Sequence, residues 1–356
     1  MKTREEFFIF VYMKDGDFAL ELMKWYHGNK RDLPWRKTSD PYSIWISEII
    51  LQQTKVDQGM PYYFKFIDNF PNVFELAFAS EQKVLKLWQG LGYYSRARNL
   101  HYTAKYIVEV LNGKFPKTYD EIIKLKGVGK YTAAAISSFA FNEKKAVVDG
   151  NVYRLLSRYF GILEPIDTSA GQKVFNHLAD SVLPLKNVNI YNQAIMEFGS
   201  LQCKPKNPIC GSCPLNFKCY SQKNNTAKNL PIKSKKIKIR ERFFNYLVIT
   251  DGKYMCLEKR TSKDIWQNMY QFPMVEKENN TFNPDSLIKN EAVLIKKTYS
   301  KHLLTHQRIN AVFWHFEVQD IYNYGYTNIV KVDHIEDYPV PKIVENYINE
   351  YLVIEV

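Results

Sequence analysis

Residues 125–133 read Leu-Lys-Gly-Val-Gly-Lys-Tyr-Thr-Ala, and this stretch does most to decide the fold. Two glycines, Gly127 and Gly129, permit a tight turn that exposes successive backbone N–H groups. A helix is predicted to begin at this turn, and its N-terminal dipole adds positive potential there. Leu125 and Val128 are expected to anchor the turn in the core. The pattern therefore favours a helix–hairpin–helix whose turn binds a phosphate.

The same glycines permit a second interpretation, a dinucleotide-binding fingerprint. Gly127 and Gly129 have the required spacing, and an acid follows twenty residues on, at Asp149. However, the position of the third glycine holds Thr132, and the flanking segments read as helices rather than as a β-α-β unit. A zinc protein with an NAD-binding hairpin stays open as an alternative that metal analysis would separate.

The pattern of apolar and polar residues changes along the chain, which predicts more than one domain. After residue 242 come short β-branched and aromatic runs at 243–250, 254–260 and 310–318, and a helix is predicted over 340–352. We therefore expect an all-α first domain over 1–220, a basic linker over 221–241 and a smaller α+β domain over 242–356. The first domain shows amphipathic helical stretches near 17–27, 41–56, 60–70, 81–89, 96–112, 130–141, 150–160, 171–182 and 188–202.

Composition places the chain among ordinary globular proteins. It has 356 residues, of which 46% are hydrophobic and 24% charged, so a disordered or collagen-like chain is excluded. The sequence lacks an apolar run near the roughly 18 residues that a membrane span needs. The apolar stretch 7–13 is followed by Lys14 and lacks a cleavage site, which argues against a signal peptide. Residues 1–12 are a candidate upstream extension, since Met13 is a plausible alternative start.

The positive charge is concentrated in the first two thirds of the chain. Residues 242–356 carry 13 Lys/Arg against 15 Asp/Glu, so the net charge of +12 arises entirely from residues 1–241. A polyanionic partner is the natural inference, and nucleic acid is the leading class. The alternative is a protein that is merely basic and soluble.

Four of the five cysteines have a spacing typical of a metal centre. They form a C-x6-C-x2-C-x5-C pattern with prolines between them, which favours a cubane [4Fe–4S] cluster. Zinc usually takes two C-x2-C pairs and remains the alternative. Disulfides are disfavoured, because the chain is large and nothing indicates secretion. Cys256 stands apart and is expected to be a buried small residue. The predicted ligands are Cys203, Cys210, Cys213 and Cys219.

Two carboxylates stand out as candidate catalytic groups. Glu48 follows Ile44-Trp45-Ile46-Ser47 and precedes Ile49-Ile50-Leu51, and such apolar surroundings raise a carboxyl pKa. The alternative is a Glu that points into solvent from a buried helix. Gln52 is expected one helical turn after Glu48, on the same face. Asp149 precedes a helical run and is first of all a helix N-cap, a position that can still present a carboxylate to a cleft.

Taken together, these residues resemble the MutY family of adenine DNA glycosylases, within the helix–hairpin–helix base-excision superfamily. The resemblance covers about residues 20–220, and the cysteine loop alone would not separate this family from its endonuclease III-like relatives. The motifs that carry it, in chain order, are LPWR at 33–36, SEIILQQT at 47–54, GLGYYSRARNL at 90–100, the glycine hairpin at 125–133, DGNV at 149–152 and the cysteine loop at 203–219.

The resemblance implies a substrate and a set of roles. The expected substrate is duplex DNA with adenine opposite 8-oxoguanine or, less well, guanine, and the adenine is flipped out before hydrolysis. Glu48 is implied as the general acid at N7, and Asp149 as the group that stabilises or traps the sugar cation. The remaining residues implied for this domain are Tyr131 and Asn151 in the catalytic site, Arg31 and Trp35 in the adenine pocket, and Gln52, Gln53, Tyr93, Gly127, Val128, Gly129 and Lys130 on DNA.

The position two after Gly129 bears on the type of chemistry. The bifunctional relatives carry there a Lys that forms a Schiff base, whereas this chain has Tyr131, with Lys130 one residue away. A monofunctional glycosylase is therefore expected. Thymine-mismatch glycosylases also carry Tyr at this position, so a thymine-mismatch or oxidised-pyrimidine glycosylase stays open, as does a non-catalytic iron–sulfur DNA-binding protein.

The second domain resembles Nudix hydrolases without their catalytic box. Residues 265–273 are similar to the strand and loop that precede the box, but residues 274–300 lack the Glu-rich R-E-x-x-E-E pattern that binds Mg²⁺. The resemblance implies the MutY C-terminal domain, which reads 8-oxoguanine through Thr305 and His306. Leu304 and Thr305 depart from the family's usual Phe-Ser, and a structural role for His306 is the alternative. We expect a monomer without membrane association in a bacterial cytoplasm, holding one [4Fe–4S] cluster.

Overall fold

The computed structural model describes residues 17–234, 239–279, 281–288 and 291–352. Residues 1–12 and Met13, the candidate extension and alternative start, lie outside the described residues. Within the described residues the chain forms two compact units. The helical unit comprises 17–53 and 106–234, and the mixed unit comprises 54–105 and 239–352. No helix in the described ranges is both long enough and apolar enough to cross a membrane.

The helical unit contains eight of the α-helices that the structure describes, including three that lie between the glycine hairpin and the cysteine loop. Its short 3-10 turn at Pro34–Arg36 holds the LPWR motif. The helices are α1 (Asp17–Asn29), α2 (Pro41–Ile50), α7 (Tyr119–Ile122), α8 (Lys130–Phe141), α9 (Gly150–Phe160), α10 (Ser169–Ser181), α11 (Val188–Leu201) and α12 (Tyr220–Asn224).

The core of the helical unit is built where α1, α9, α10 and α11 meet. Leu22 of α1, Leu156 of α9, Phe175 of α10 and Phe198 of α11 are all fully buried in one apolar cluster. The apolar residues of α9 recur at the three- and four-residue spacing of an amphipathic helix, which is why one face of α9 enters this core. The polar N-terminus of α9 is thereby held against the rest of the unit.

The helix predicted over 41–56 is shorter than expected. It ends at Ile50, because Gln53 adopts a left-handed conformation with φ 58° and turns the chain before the next helix begins at Val56. Gln52 therefore lies beyond the helix rather than one turn along it, and that expectation was wrong. The other eight predicted helical stretches are confirmed, although the short helices over Val73–Phe78, Tyr119–Ile122 and Tyr220–Asn224 were not anticipated.

The mixed unit combines helices with a seven-stranded sheet. Its helices are α3 (Val56–Asn69), α4 (Val73–Phe78), α5 (Glu81–Trp88), α6 (Ser95–Glu109, whose last residues belong to the helical unit) and α13 (Lys342–Tyr351). Its strands are β1 (Arg240–Thr250), β2 (Tyr254–Lys259), β3 (Tyr270–Gln271), β4 (Met274–Lys277), β5 (Val293–Leu303), β6 (Gln307–Glu317) and β7 (Asn328–Lys331).

The sheet places β1 at its centre, with strand order β3-β2-β1-β6-β5 and with β4 and β7 paired to β1 and β2. β1 runs parallel to β6 along its whole length, whereas β5 and β6 form an antiparallel hairpin that closes at the Leu303↔Arg308 pair. Cys256 is fully buried in the core of this sheet, as predicted. The three predicted strand regions and the C-terminal helix are confirmed, but β4, β5 and β7 were not anticipated.

In the described residues, the segment around residue 230 packs onto α9 of the helical unit. Leu230 is buried, and its carbonyl accepts a hydrogen bond from Arg158 Nε at 3.1 Å. Residues 235–238 of the predicted 221–241 linker lie outside the described residues. Residues 54–105 form contacts mainly with residues 239–352. The division at 1–220, 221–241 and 242–356 stays a prediction about the linear sequence.

Gly199 of α11 sets how closely α11 approaches α9. A Cβ atom at this position would lie 2.8 Å from both the Cβ and the carbonyl oxygen of Asn151. We expect Gly199→Ala to lower the free energy of unfolding by about 1–3 kcal/mol, because backbone must shift to admit a methyl group. Gly28→Ala is the matched control, since no atom lies within 4 Å of its added Cβ. Equal unfolding free energies in urea for the two variants would contradict this packing argument.

Candidate active site and cysteine loop

Glu48 lies inside the helical unit, on α2. The helix begins at Asp40, which caps it, and its side chains from Tyr42 to Ile50 are buried except Ser43. Glu48 itself is only 5% exposed, so the alternative of a solvent-facing Glu is wrong. Burial raises the pKa of Glu48 to about 7, assisted by the charge of Asp149 and opposed by a hydrogen bond from Tyr131 and by the charge of Arg36. This carboxyl can therefore carry a proton at neutral pH.

Asp149 caps α9, as predicted, and its carboxylate accepts three N–H groups. Oδ1 accepts from the backbone N–H groups of Asn151 and Val152, each at 2.8 Å. Oδ2 accepts from Asn151 Nδ2 at 2.7 Å. Burial raises the pKa of Asp149, but these hydrogen bonds and the charge of Arg154 oppose that rise. Glu48 receives one hydrogen bond, from the hydroxyl of Tyr131. Asp149, with three, is therefore the carboxyl that the site favours in its ionised form.

Tyr131 is hydrogen-bonded to Glu48 and lies within the electrostatic influence of Asp149. It lies in the first turn of α8, and its hydroxyl donates a hydrogen bond to Glu48. Burial and the charges of Glu48 and Asp149 raise the pKa of Tyr131 well above its ordinary value, so the phenol stays neutral. Lys130, by contrast, is exposed. The fold therefore brings together the predicted set of Glu48, Tyr131, Asp149 and Asn151.

A buried ion-pair cluster that sequence reasoning missed lies beside this set. Glu197 of α11 is 1% exposed and accepts hydrogen bonds from two arginines. Arg31 donates through Nη2 at 2.6 Å and Arg36 through Nη2 at 2.8 Å. Although burial opposes ionisation, these partners lower the pKa of Glu197 to about 2. Arg36 also acts electrostatically on Glu48 and Tyr131, so it belongs to the site.

The two residues predicted for a base pocket lie in the LPWR turn and just before it. Trp35 is 8% exposed within the 3-10 turn, and Arg31 precedes it. Arg31 is held by both its backbone N–H and its guanidinium on Glu197. A carboxylate with two arginine partners fixes this turn firmly, which suits a pocket wall.

Arg154 connects the N-terminus of α9 with the cysteine loop. Its Nη2 donates to Asn151 Oδ1 at 2.8 Å and to the carbonyl of Gly199 at 2.6 Å. Its Nε donates to the carbonyl of Cys203 at 2.8 Å. Asn151 is therefore held by Asp149 on one side and by Arg154 on the other. The pair Arg154 and Arg158, four residues apart on a helix, is the sequence signal that would have indicated a shared buried face.

The glycine hairpin has the predicted form. Gly127 adopts φ 82°, and Gly129 is the N-cap of α8. Leu125 and Val128 are buried at 5% and 8% exposure and anchor the turn, while both glycines are exposed. The exposed turn leads directly into α8, which is the arrangement that binds phosphate.

The two glutamines after α2 have different environments. Gln52 is partly buried and donates from Nε2 to the hydroxyl of Thr132 at 3.1 Å, next to the hairpin. Gln53 is exposed and left-handed. Their backbone turn therefore directs one glutamine toward the hairpin helix and leaves the other open to a ligand.

The four clustered cysteines line a common cavity in the helical unit. All are free thiols, so the disulfide alternative is wrong. Arg158 donates to Cys203 Sγ at 3.5 Å and to the carbonyl of Lys204 at 2.7 Å, which ties the loop to α9. No group of three or more His, Cys, Asp or Glu side chains in the described ranges is arranged to hold a single metal ion. The donor set around the cavity, Cys203, Cys210, Cys213 and Cys219, nevertheless fits a cluster bound by four thiolates.

A second group of predicted residues meets within the mixed unit. Tyr93 is left-handed, with φ 48°, and 41% exposed. Its hydroxyl forms a hydrogen bond with the hydroxyl of Thr305, in the turn between β5 and β6. His306 is exposed in the same turn rather than in a strand, which contradicts the structural alternative for this histidine. A cavity of about 430 Å³ opens between the turn and the Tyr93 segment.

The raised pKa of Glu48 makes a prediction about stability. A carboxyl whose pKa is higher in the folded chain than in the unfolded one lowers the free energy of unfolding as pH rises between those two values. From the ordinary value of 4.5 to about 7, the loss amounts to about 3 kcal/mol. The difference in unfolding free energy between wild type and Glu48→Gln should therefore change by this amount from pH 4.5 to 7 and stay level above. Glu109→Gln, on an exposed residue, is the control. A difference that does not change with pH would contradict the buried placement.

Comparison with known proteins agrees with this geometry. The family profile described as HhH-GPD superfamily base excision DNA repair protein matches residues 46–179, and the profile described as NUDIX domain matches residues 245–350.

Two curated relatives and one solved structure are similar over long stretches. The adenine DNA glycosylase of Buchnera aphidicola subsp. Baizongia pistaciae is 40% identical over 295 residues, which are 81% of this chain and 83% of the relative. The adenine DNA glycosylase of Buchnera aphidicola subsp. Schizaphis graminum is 39% identical and covers 79% of this chain and 80% of the relative. A solved thermostable thymine-DNA glycosylase is 30% identical with a TM-score of 0.55, and the match covers 58% of this chain and 95% of that structure. On this likeness and on its paired carboxyls, the chain belongs to the adenine DNA glycosylase family and is a DNA glycosylase of the helix–hairpin–helix base-excision superfamily with a Nudix-like C-terminal region.

Proposed function

We propose that this enzyme hydrolyses the N-glycosidic bond of adenine mispaired with 8-oxoguanine in duplex DNA, with adenine opposite guanine as a poorer substrate. The observation that carries the proposal is the pair of carboxyls with unequal environments. Glu48 is buried, which raises its pKa to about 7, whereas Asp149 accepts three N–H groups. One site thus holds a proton donor and an anion side by side, as glycoside hydrolysis needs.

Glu48 acts as the general acid. Adenine is a poor leaving group as an anion, so protonation at N7 lets it depart neutral when the C1′–N9 bond breaks. A pKa near 7 is matched to this task, because the acid is present in its protonated form yet transfers the proton readily. The hydrogen bond from Tyr131 orients the carboxyl toward the base.

Asp149 stabilises the positive charge that develops on the sugar, or adds to C1′ and is then displaced. Its three N–H partners oppose the rise in pKa that burial causes and so favour the ionised form, and Oδ2, which accepts one of these bonds, keeps a further lone pair. Water then adds to C1′ and gives its proton to the Glu48 carboxylate, which restores the acid for the next turnover. Asn151, which is itself held by Arg154, keeps Oδ2 of Asp149 in place.

Tyr131 explains why the reaction stops at base removal. A Schiff base at C1′ needs an amine, and this position carries a phenol kept neutral by burial. Arg31 and Trp35 form part of the adenine pocket, where the LPWR turn is fixed by Glu197. The product is an intact strand with an abasic site.

Duplex DNA is held by backbone amides and opened by two side chains. The hairpin turn from Gly127 through Val128 and Gly129 to Lys130 binds a phosphate next to the target nucleotide. Tyr93 enters the base stack beside the mismatch, and Gln53 occupies or probes the space that the flipped adenine leaves, while Gln52 also contacts the DNA.

The base opposite adenine is read from the mixed unit. The hydroxyl of Thr305 and the imidazole of His306 lie exposed in the β5–β6 turn, where they can hydrogen-bond the extra N–H and carbonyl of 8-oxoguanine. The residues 221–241 act as a linker between the catalytic region 1–220 and this recognition region 242–356.

The enzyme works as a monomer on DNA in the bacterial cytoplasm.

The cysteine loop holds one [4Fe–4S] cluster. Cys203, Cys210, Cys213 and Cys219 would supply its thiolate ligands, since all four line one cavity. Bound there, the cluster supplies a rigid covalent framework for the basic loop 203–219 rather than hydrolytic chemistry. Arg154 and Arg158 connect that loop to the catalytic helix.

The carboxyl roles are tested by single-turnover release of adenine from a duplex with one A:8-oxoguanine pair. Glu48→Gln and Asp149→Asn should each slow release by about 10²–10⁴-fold while still binding the duplex, because each loses its charge or its proton donor. Glu109→Gln serves as a matched control with full activity. Full activity in either active-site variant would overturn its role. A wild type that leaves this adenine in place but releases thymine from mismatches would favour the thymine-mismatch alternative.

The cluster is tested by metal content and absorbance of the purified chain. We expect about four iron atoms per chain and a broad absorbance in the blue part of the visible spectrum. Cys213→Ser should lower the iron content, whereas Cys256→Ala, a change at a buried cysteine of the sheet, should leave it unchanged. Zinc in place of iron, or iron that persists after Cys213→Ser, would contradict the assignment.

A further inference from the structure

The segment that carries Tyr93 is tightly fixed at its first residues. Gly90 has φ 97°, and any side chain there would place its Cβ 2.4 Å from the hydroxyl of Tyr62. That hydroxyl donates to the carbonyl of Gln89 at 2.8 Å. The N–H of Gly90 donates to the hydroxyl of Tyr94 at 3.2 Å. The backbone at Gln89 and Gly90 therefore has little freedom to move.

The far side of the segment is fixed as well. The indole N–H of Trp88 donates to the carbonyl of Gly92 at 3.1 Å. Arg96 Nη2 donates to the same carbonyl at 3.1 Å and to that of Leu91 at 3.3 Å, and its guanidinium lies over the rings of Trp88 and Tyr93. The segment from Trp88 to Arg96, which carries both Gln89 and Tyr93, is therefore held together by its own hydrogen bonds and ring contacts.

The side chain of Gln89 bridges this segment to the C-terminal helix. Its Oε1 accepts from the backbone N–H of Val340 at 3.0 Å. Its Nε2 donates to Glu345 Oε1 at 2.8 Å, in the first turn of α13. Gln89 is partly buried, so water competes weakly for these bonds. The amide supplies this acceptor and this donor from two separate atoms of one side chain.

The helix that Gln89 contacts is itself locked onto the strands that carry the recognition turn. The ring of Tyr347 in α13 stacks on Phe313 of β6, with centroids 4.3 Å apart and planes inclined by 10°. The hydroxyl of Tyr347 lies 3.1 Å from His315 Nδ1, also on β6. Since β6 pairs with β5 up to Leu303, the turn with Thr305 moves with α13.

These contacts form a closed path, because Tyr93 and Thr305 are also hydrogen-bonded to each other. We infer that Gln89 is a positioning residue for recognition of the base opposite adenine, since it sets the spacing between Tyr93 and Thr305. This inference rests on the proposed function of these two residues. Gln89 itself contacts no part of the proposed catalytic site, so it acts on discrimination between opposing bases and not on bond cleavage.

The experiment compares single-turnover rates of adenine release from A:8-oxoguanine and A:G duplexes. Gln89→Ala should lower the rate on A:8-oxoguanine by about tenfold, because two hydrogen bonds that set the spacing are lost. The rate on A:G should stay within about twofold, since the catalytic groups are untouched. The docking contacts of Asn268 with Glu81 and of Gln82 with the carbonyl of Asp337 remain, so the chain should fold normally. Gln172→Ala, on an exposed helical surface, is the matched control.

A charge exchange separates positioning from a general loss of stability. Gln89→Glu should lower the rate ratio as Gln89→Ala does, because two carboxylates then face each other. Adding Glu345→Gln should restore the ratio. The amide introduced at position 345 can then donate to the carboxylate at position 89, which also accepts from the backbone N–H of Val340. An unchanged ratio in Gln89→Ala, alongside a reduced ratio in Thr305→Ala, would overturn this inference and leave the proposed function standing. Equal losses on both duplexes would also overturn it. A wild type with no preference between the duplexes would remove the proposed recognition and, with it, this inference.

Discussion

The cap that Asp149 forms on α9 is the interaction on which the catalytic part of the molecule depends. One carboxylate satisfies the orphan N–H groups of the helix and, through Asn151, receives a third hydrogen bond. The apolar face of α9 is buried in the core, so this polar end cannot shift without disturbing the whole unit. A structural requirement of the helix and a chemical requirement of the site are thus met by the same group.

Glu48 shows the opposite solution for the same functional group. Asp149 accepts three N–H groups, whereas Glu48 is buried and receives one phenolic hydrogen bond. The difference in free energy of ionisation follows from the number of donors rather than from depth of burial alone. Arg36 reduces this difference. Its guanidinium is hydrogen-bonded to Glu197, and its charge also lowers the pKa of Glu48.

In the mixed unit, rigidity serves a different purpose. A site that reads a base by a few hydrogen bonds must hold its donors within fractions of an ångström, and loops do so only when packed elements support them. Here the Tyr93 segment and the β5–β6 turn are joined directly by hydroxyls and indirectly through α13. Residues 54–105 are distant in sequence from the sheet but share its unit, which places Tyr93 and the β5–β6 turn in one compact body.

Sequence by itself determined the local features of this protein: the hairpin of Gly127 and Gly129, the cap at Asp149, the buried helix of Glu48 and the spacing of four cysteines. Each depends on residues close together in the chain, where helical period, turn chemistry and capping are legible. It misplaced Gln52, because the left-handed turn at Gln53 ends α2 early, and it missed β5, whose lysines hide its alternation. Only the tertiary structure decided the partners of Arg31, Arg36 and Glu197, the bridges of Arg154, and the docking of Gln89 on α13. The long-range contacts among these join residues 45 to 256 positions apart, and what sets them is how buried faces pack, which no local pattern encodes.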